Sequence, residues 1–501
     1  MNVEERLSLA AGKLLCYAKA HLGLSGLDAI YKENLLLREL GLDAPYEGEI
    51  DEKEIKSLSV PDPLVDPLIE ALVDSGKEEG EAERIAAYCL GLLSPSPNEV
   101  AAYCLDKIKK GHPKQATDFL YSLSIANQYI AKTRVDRNIV FPFDFAKGSP
   151  LEISINLSKP EKDNKAIAKL LTFKSKGYPK CLLCKENIGY KGNPKHPARG
   201  NIRYIPLSLD GEDYFLQYSP YVYYPEHCIV FASSHYPMGM GEHIFRCLLD
   251  FVTLFPHYFL GSNADLPIVG GSILDHEHFQ GGAHLLPLLK AKARKAYLEG
   301  EVTLEQADFY DTALILRGKS KDKVAKLASA IFEAWRDYAD EDNLIIPFDG
   351  ETRHNTVTPI ARQVDGEYRL FLILRNNRCD DKYPDGIFHA HPESHHVKKE
   401  GIGLIEAAGY FVLPGRLKRQ TEEAKDAVAK GLGDAQAISL YPDLSGFEPL
   451  LEHLRNGQSV ESYLALVCRR ILSDVAVFKD NEKGQKGLDA FIAKALEGYR
   501  Q

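Results

Sequence analysis

The chain has 501 residues, of which 45% are hydrophobic and 26% are charged, a composition typical of a globular protein built from two or three structural units. Its net charge of −10 at pH 7 argues against a general nucleic-acid binder, because such proteins usually present a basic face. No apolar run reaches the roughly 18 residues of a membrane span, and the opening "MNVEERLSLA" lacks the basic-then-apolar order of a signal peptide, so we expect a cytoplasmic protein that binds neither nucleic acid nor membranes.

The first 150 residues are predicted to be helical. Apolar residues recur at helical spacing in "VEERLSLAAGKLLCYAKAHLGL" and in "NEVAAYCLDKIKKGHPKQATDFLYSLSIANQYIAKTRV". Proline, glycine and acidic residues interrupt this pattern in "APYEGEIDEKE" and "LLSPSPNEV". No catalytic constellation appears in this region, so we interpret it as a packing or interface region.

From about residue 150 to 415 the sequence indicates mixed α and β structure. β-Branched and aromatic residues alternate in "LEISINLS" and "YFLQYSPYVYYPEHCIVFAS", which predicts strands. The segments "MGMGEHIFRCLLDFVTLFPHYF", "KAKARKAYLEGEVTL" and "SKDKVAKLASAIFEAWRDYADED" predict helices between strands. The pattern returns to helix from "RLKRQTEEAKDAVAKGL" onward.

A weak internal repeat lies within the mixed region. The segment at 206–220, "PLSLDGEDYFLQYSP", resembles "ARQVDGEYRLFLILR" at 361–375, and each predicts a strand, a D-G-E turn and a strand. Each is followed by a His-x-His triplet, at 276–278 and at 389–391. Two matched features in the same order indicate a duplicated module.

The segment "GGSILDHEHFQGGAH", at 270–284, is the most unusual in the chain. If "SILDHEHFQ" is a strand, His276, His278 and Gln280 share one face. Apolar segments on either side predict an interior position, where a row of polar groups needs a metal, a ligand or a polar network. The flanking glycines allow backbone amides to approach a ligand closely, and phosphate is the usual one.

The pair Cys181-x-x-Cys184 can supply two ligands of a tetrahedral zinc site. No second Cys-x-x-Cys follows, so two further ligands must come from elsewhere in the chain. His276 and His235 are the natural candidates, and the alternatives nearby are His227 and His243. A redox pair is the competing interpretation, although no thioredoxin-like βαβ pattern surrounds the cysteines.

The motifs together resemble the galactose-1-phosphate uridylyltransferases, members of the histidine-triad superfamily. Besides "GGSILDHEHFQGG", the segments similar to the longer bacterial class of this family are "INLSKPEKD", "CLLCKENIGY", "QYSPYVYYPEHCIVF", "SNADLPIVGGSI", "RHNTVTPIAR" and "HVKKEGIGLIEAAGYFVLPGRL". The resemblance covers essentially the whole chain. It implies an α+β fold in which a duplicated histidine-triad-like module, with mixed or antiparallel sheets and helices, is flanked by helical N- and C-terminal regions.

We expect four parts: a helical N-terminal region (1–150), a catalytic histidine-triad-like module (151–335), a second, degenerate module (336–415) and a helical C-terminal region (416–501). Members of the family are often dimers, so the resemblance also allows a homodimer.

The resemblance implies a two-step exchange at His278, which matches the family's nucleophile. UDP-glucose would give its uridylyl group to His278 and release glucose 1-phosphate. Galactose 1-phosphate would then accept the group and leave as UDP-galactose. Gln280 stands where hydrolases of the superfamily have a third histidine, and it would hydrogen-bond a non-bridging phosphate oxygen. The α-phosphate would lie against the amides near Gly271 and Ser272, with Asn263 nearby.

The better-known class of the family holds a structural zinc ion, and its ligands carry over to Cys181, Cys184, His235 and His276. That class also has two arginines, spaced by three, that bind the sugar phosphate. Lys159 and Lys162, in "SKPEK", offer weaker, non-bidentate cations at the same spacing.

This sequence departs from the better-known class at Glu277, where that class has proline, so the carry-over of contacts is approximate. His389 and His391 resemble part of an iron site of that class, but no matching glutamate follows Gln280, and we predict no iron. A polar loop that closes over the sugar is an equal alternative to a metal role for His389, His391, His395 and His396.

Two other functions stay open. A dinucleoside-polyphosphate phosphorylase of the same superfamily also uses a His-x-His-x-Gln strand and would differ in handling a purine. A zinc-binding protein without catalysis would use the histidines only as ligands, and His278→Ala would then unfold it.

Overall fold

The computed structural model describes residues 1–146, 148–158 and 177–500, and its first part is helical as predicted. Asn2 and Glu5 form a capping box that starts the first helix, and Ser96 and Glu99 form another ahead of the sixth. The helices of this region are α1 (Val3–His21), α2 (Gly26–Leu40), α3 (Glu52–Ser57), α4 (Asp62–Asp74), α5 (Glu79–Leu93), α6 (Pro97–Lys109), α7 (Pro113–Ala126) and α8 (Lys132–Val135).

Strands begin at Ile139 and alternate with helices up to Pro414. The strands are β1 (Ile139–Phe143), β2 (Leu151–Asn156), β3 (Ile205–Leu209), β4 (Glu212–Tyr218), β5 (Cys228–Ala232), β6 (Phe259–Gly261), β7 (His278–Gly282), β8 (Ala293–Leu298), β9 (Val302–Ala307), β10 (Ala313–Gly318), β11 (Phe348–Asp349), β12 (Thr352–Arg353), β13 (Asn355–Val364), β14 (Glu367–Asn376) and β15 (Tyr410–Pro414). The helices among them are α9 (Glu242–Leu254), α10 (Lys321–Arg336) and α11 (Leu404–Ala407). The helix predicted for "KAKARKAYLEGEVTL", at 290–304, is wrong, because this segment turns back on itself and pairs as the antiparallel strands β8 and β9.

The C-terminal part is helical, as predicted. Its helices are α12 (Arg416–Ala429), α13 (Asp434–Leu440), α14 (Glu448–Arg455), α15 (Val460–Val475) and α16 (Glu482–Arg500). Among the helices of the described ranges, none has the length and apolar character that a bilayer crossing requires.

Within the described residues, ten strands form one antiparallel sheet in the order β3-β4-β5-β7-β6-β13-β14-β10-β9-β8. The first five strands and the last five have the same internal order. In each half, three consecutive strands form a meander and are followed by a helix, α9 or α10. Two more strands then join the sheet, and the last of them pairs with the third: β7 with β5, and β14 with β10. The halves meet where β6 pairs with β13. The predicted α+β fold with a duplicated module is therefore confirmed.

The alignment that suggested the repeat was nevertheless wrong. Residues 206–220 form the outer hairpin β3–β4, whereas 361–375 lie in β13 and β14, at the centre of the sheet. The likeness arises because each hairpin turns through Asp-Gly with both residues at positive φ, a turn that favours this dipeptide. The strand order starts the second half at β8, before residue 336, and the predicted domain boundaries at 150, 335 and 415 stay predictions.

The two faces of the sheet are covered by different layers. On one face, Phe279, Leu260 and Ala361 are fully buried and contribute to a core that includes α9, α10 and the N-terminal helices. On the other face, Ile360 and Phe371 pack toward the small sheet of β1, β2 and β15 and the C-terminal helices. The strand register places His278 and Gln280 on this second face. Both side chains therefore point toward the side of the sheet that carries the small sheet and the C-terminal helices.

Candidate active site and metal centre

His278 is the first residue of β7 and is 6% exposed. Its Nδ1 lies 2.9 Å from the carbonyl oxygen of His276. Because a carbonyl oxygen only accepts, Nδ1 carries the proton and Nε2 keeps its lone pair. Burial lowers the pKa of His278 below its ordinary value, so the imidazole is neutral near pH 7. A neutral imidazole with a free Nε2 is a nucleophile.

The predicted strand across 272–280 was wrong in its first half, since β7 begins only at His278. His276 and Glu277 lie outside the strand, although the amide of Glu277 donates to Tyr236 and its carbonyl accepts from Ala232. The bend before β7 turns the imidazole of His276 toward the cysteine pair. A regular strand would keep it on the same face as His278.

Cys181, Cys184, His235 and His276 meet in one cluster, with their ligand atoms within 4.8 Å of one another. The two sulfurs are 3.6 Å apart, and the sulfur-to-Nδ1 distances are 3.2 Å for Cys181–His276 and for Cys184–His235. A tetrahedral zinc ion separates sulfur and nitrogen ligands by about 3.3–3.8 Å. The donor set and the spacing therefore fit zinc, and within the described residues no second group of this kind occurs.

The surroundings of the cluster hold its ligands in place. The Nε2 of His276 donates to the carbonyl of Ala232 at 2.9 Å, which leaves Nδ1 free to bind a metal. The amide of Asn187 donates to the carbonyls of Cys181 and Cys184 at 2.9 and 2.7 Å. Burial raises the pKa of the Cys181 thiol to about 12, which is opposite to the reactive, low-pKa cysteine of a redox pair.

The two alternative zinc ligands lie elsewhere. The Nε2 of His227 contacts Oε1 of Gln280 at 3.1 Å, and the ring of His243 contacts Asp210 at 2.8 Å and the Tyr214 hydroxyl at 3.1 Å. His243 thus belongs to a polar network on the other side of the sheet.

Glu277, the middle residue of the His-x-His triplet, has a defined place in that network. It is 3% exposed, and its Oε1 accepts hydrogen bonds from Tyr214 at 2.5 Å and from Tyr236 at 3.1 Å. The carboxylate anchors the segment between His276 and His278 from the face opposite the nucleophile. The sequence marked this position only as a departure.

Asn263 lies two residues beyond Gly261, the partner of Gln280 in the sheet, and so stands beside the start of β7. Its Oδ1 accepts from the amide of Leu404 at 2.9 Å. A Cβ at Gly271 would lie 2.9 Å from its Nδ2, so any larger residue there would displace the Asn263 side chain. The structure thus brings Asn263 and Gly271 together, with Ser272 following as an exposed residue.

Residues 263–272, here called the predicted phosphate loop, are held by side chains of the second half of the sheet. The sequence analysis did not predict these contacts. The carboxylate of Asp265 accepts from Arg353 and, at 2.6 Å, from the Thr356 hydroxyl. The buried guanidinium of Arg375 donates to the carbonyl of Ile402 at 2.7 Å. Ile402 lies two residues before Leu404, whose amide donates to Asn263. The similar segments "RHNTVTPIAR" and "HVKKEGIGLIEAAGYFVLPGRL" were the available signal, but nothing in the sequence pairs them with residues 263–271.

A buried ion pair also lies beside Asn263. The Nζ of Lys398 is 3.1 Å from Oε1 of Glu406, and both side chains are about one-tenth exposed. A Cβ at Gly403 would lie 3.0 Å from Oδ1 of Asn263 and 3.7 Å from Oε2 of Glu406. A carboxylate and an ammonium group therefore line the space next to the predicted phosphate loop.

The four histidines of the second half are separately placed. His391 contacts the carbonyl of Ile387 at 3.0 Å, His395 the carbonyl of Ala390 at 2.9 Å, and His396 the hydroxyl of Tyr463 at 2.7 Å. His389 is buried, and neither of its ring nitrogens has a partner among the described residues. Lys159 and Lys162 lie outside the described residues.

The chain is similar to known proteins over most of its length. Two family models match it, described as the N-terminal domain of galactose-1-phosphate uridyl transferase over residues 70–237 and its C-terminal domain over 251–439. The galactose-1-phosphate uridylyltransferase of Caldanaerobacter subterraneus subsp. tengcongensis is 42% identical, covering 96% of this chain and 97% of that protein. The one of Bacillus subtilis is 40% identical and covers 98% of each. Yeast Ap4A phosphorylase Apa2 is 13% identical over 59% of this chain and 89% of that one with a TM-score of 0.33, a likeness too low to carry an argument.

Proposed function

The chain belongs to the galactose-1-phosphate uridylyltransferase family, and from that premise we propose that it transfers a uridylyl group from UDP-glucose to galactose 1-phosphate through a covalent uridylyl-histidine at His278. The observation that carries the proposal is the hydrogen bond from Nδ1 of His278 to the carbonyl of His276. It fixes the tautomer in which Nε2 can attack.

In the first step, Nε2 of His278 attacks the α-phosphorus of UDP-glucose. The P–Nε2 bond forms, the bond from that phosphorus to the bridging oxygen breaks, and glucose 1-phosphate leaves. In the second step, a phosphate oxygen of galactose 1-phosphate attacks the same phosphorus and releases His278. The products are UDP-galactose and the free enzyme, and a covalent intermediate lets two sugar phosphates use one site in turn.

Three sets of polar groups support this chemistry in the proposal. Gln280 donates to a non-bridging oxygen of the α-phosphate as charge builds there. Asn263 and the amides at Gly271 and Ser272 bind the phosphates. Lys159 and Lys162 are proposed as cations for the sugar phosphate, an assignment that rests on the family's arginine spacing alone.

Cys181, Cys184, His235 and His276 would hold zinc, which supplies a structural cross-link and no chemistry to the transfer. By holding His276, the ion would fix the carbonyl that orients His278. The cytoplasmic location and the homodimer stay predictions.

The test is an intact mass spectrum after incubation with UDP-glucose alone at mildly alkaline pH. We expect a gain of one uridylyl group that galactose 1-phosphate removes and that His278→Ala lacks. An adduct formed from ATP or Ap4A, with none from UDP-glucose, would favour the phosphorylase instead. A folded wild-type protein with no adduct from any donor would contradict covalent catalysis.

A further inference from the structure

His227 lies immediately before β5, beside the strand that carries the nucleophile. In the sheet, Ile229 is the direct partner of Gln280. His227 is two residues from Ile229 on the same face and is therefore the diagonal neighbour of Gln280. Its Nε2 lies 3.1 Å from Oε1 of the Gln280 amide.

The proton on His227 can be placed from the surroundings of its two ring nitrogens. Nε2 has a hydrogen-bond partner, the side-chain amide of Gln280, whereas Nδ1 has none among the described residues, so the proton belongs on Nε2 and the amide presents its oxygen to it. Nδ1 is buried and has no partner among the described residues, and a buried acceptor is more often left unpaired than a buried N–H. Burial lowers the pKa of His227 to about 4, so the ring stays neutral at working pH with its proton on Nε2.

The ring of His227 has little freedom to turn away. It is 2% exposed and lies against Tyr223 and Tyr224, with ring centroids 5.1 and 4.7 Å away. The hydroxyl of Tyr224 donates to the carbonyl of Gly281 at 3.3 Å, and the carbonyl of Tyr223 accepts from Tyr410. The donor is thus held in position before substrate binds.

From this geometry we propose that His227 is a positioning residue that fixes the orientation of the Gln280 amide, so that its NH₂ group, and not its oxygen, faces the α-phosphate. The inference rests on the proposed function, because it assigns the donor that Gln280 presents in that reaction. An amide turned by 180° would present its oxygen to the phosphate oxygens, and two hydrogen-bond acceptors would face each other. His227 removes that orientation in advance, which is the preorganisation that such donors need.

The first measurement concerns the wild-type protein alone. With ¹⁵N-labelled histidine, two-bond ¹H–¹⁵N correlation spectra identify the tautomer of each neutral imidazole. We expect the His227 signal, assigned by its loss in His227→Gln, to be the Nε2–H tautomer. The Nδ1–H tautomer would overturn the proposal.

The second measurement is the single-turnover rate of uridylylation by UDP-glucose. His227→Phe keeps a ring between the tyrosines but removes the donor, and we expect a rate lower by about 10- to 100-fold, a fraction of what loss of a whole oxyanion donor produces. UDP-glucose binding should change by less than about 3-fold, since the contact acts on the developing charge. His227→Gln returns an N–H near the position of Nε2 and should recover most of the rate.

A double-mutant cycle separates positioning from other effects. In the Gln280→Ala background, His227→Phe should change the rate by no more than about 2-fold, because there is no amide to orient. An equal slowing in both backgrounds would overturn the inference while leaving the proposed function intact. Absence of any uridylyl adduct in the wild type would instead overturn the proposed function and the phosphate contact named here.

Discussion

The two halves of the ten-stranded sheet have the same strand order but carry different side chains at the same place. In the first half, β7 presents His278 and Gln280 and ends in two glycines. In the second half, the matching strand β14 presents Phe371 and Ile373, which are buried in an apolar core. The duplicated fold therefore supplies one strand with the candidate nucleophile and one apolar strand.

The second half still takes part in the site, through support. Arg353 and Thr356 donate hydrogen bonds to Asp265. Arg375 donates to the segment around Leu404, whose amide in turn donates to Asn263. A loop beside the proposed nucleophile, His278, is thus anchored to strands of the second half. The difference between the halves teaches that the half without a candidate nucleophile can still hold the geometry beside it.

The largest expected effect comes from replacing one histidine in each half by alanine. His278→Ala should reduce uridylyl exchange by about 10⁴-fold or more, since the covalent route is lost, while the free energy of unfolding falls by only about 1 kcal/mol for one hydrogen bond. The matched variant His389→Ala should keep exchange within a few-fold. Steady-state exchange assays and urea unfolding measure both, and a dead His389→Ala that is fully folded would break the proposed division of roles.

Loss of the proposed zinc ion should mainly lower the thermal stability of the first half. Cys184→Ser replaces one thiolate ligand, so we expect less than one zinc ion per chain and a lower Tm, with chelator causing the same drop in wild type. Elemental analysis and thermal unfolding provide the readouts, and Cys379→Ser, an exposed cysteine of the second half, is the control. A wild-type protein purified with no metal and indifferent to chelator would contradict the zinc assignment.

Gln280→Ala should reduce the uridylylation rate by about 10²- to 10³-fold, the range found when one oxyanion donor is removed. Because Gln280 is half-exposed, its loss should leave stability within about 1 kcal/mol. Rapid-quench kinetics with UDP-glucose measures the step directly. A rate near that of the wild type would show that the amide does not contact the transition state.

The tie between the halves predicts a smaller, mixed effect. Asp265→Asn weakens the contact with Arg353, so we expect a stability loss of about 1–3 kcal/mol and a kcat/KM lower by about 10-fold, because the phosphate loop loses an anchor. The control is Asp308→Asn, an exposed carboxylate paired with Arg294 in the second half, which should change stability by less than about 0.5 kcal/mol. Equal effects of the two variants would argue against a special role for the tie.

The effect that leaves activity at neutral pH untouched is the pH dependence of stability, and each half contributes one group. Burial lowers the pKa of His227 and of His389 to about 4, from an ordinary value of about 6.5. Between these values only the unfolded state binds the proton, so each group makes stability fall as pH drops through that window, by up to about 3 kcal/mol. Urea unfolding at pH 7.5 and 4.5 should show a smaller difference in His227→Gln and in His389→Gln than in wild type.

Local sequence patterns predicted the helical and strand-rich regions well, because periodicities of 3.6 and 2 are set by short-range geometry. They failed at the repeat alignment, where two Asp-Gly turns imitated a duplication that the strand order places elsewhere. They also failed before His278, where the chain bends and His276 meets a cysteine pair more than ninety residues away, and at 290–304, where a helical pattern folds as a hairpin.

By itself, the sequence determined the α+β class, the family, the residue types of the candidate site and the separation of a reactive segment from helical ends. Only the tertiary structure decided that His227 contacts Gln280, that Glu277 anchors the segment before β7, and that Arg353, Thr356 and Arg375 support the predicted phosphate loop. The physical reason is that these are single contacts between residues remote in sequence. No periodicity encodes them, because their geometry exists only once the two halves of the sheet have met.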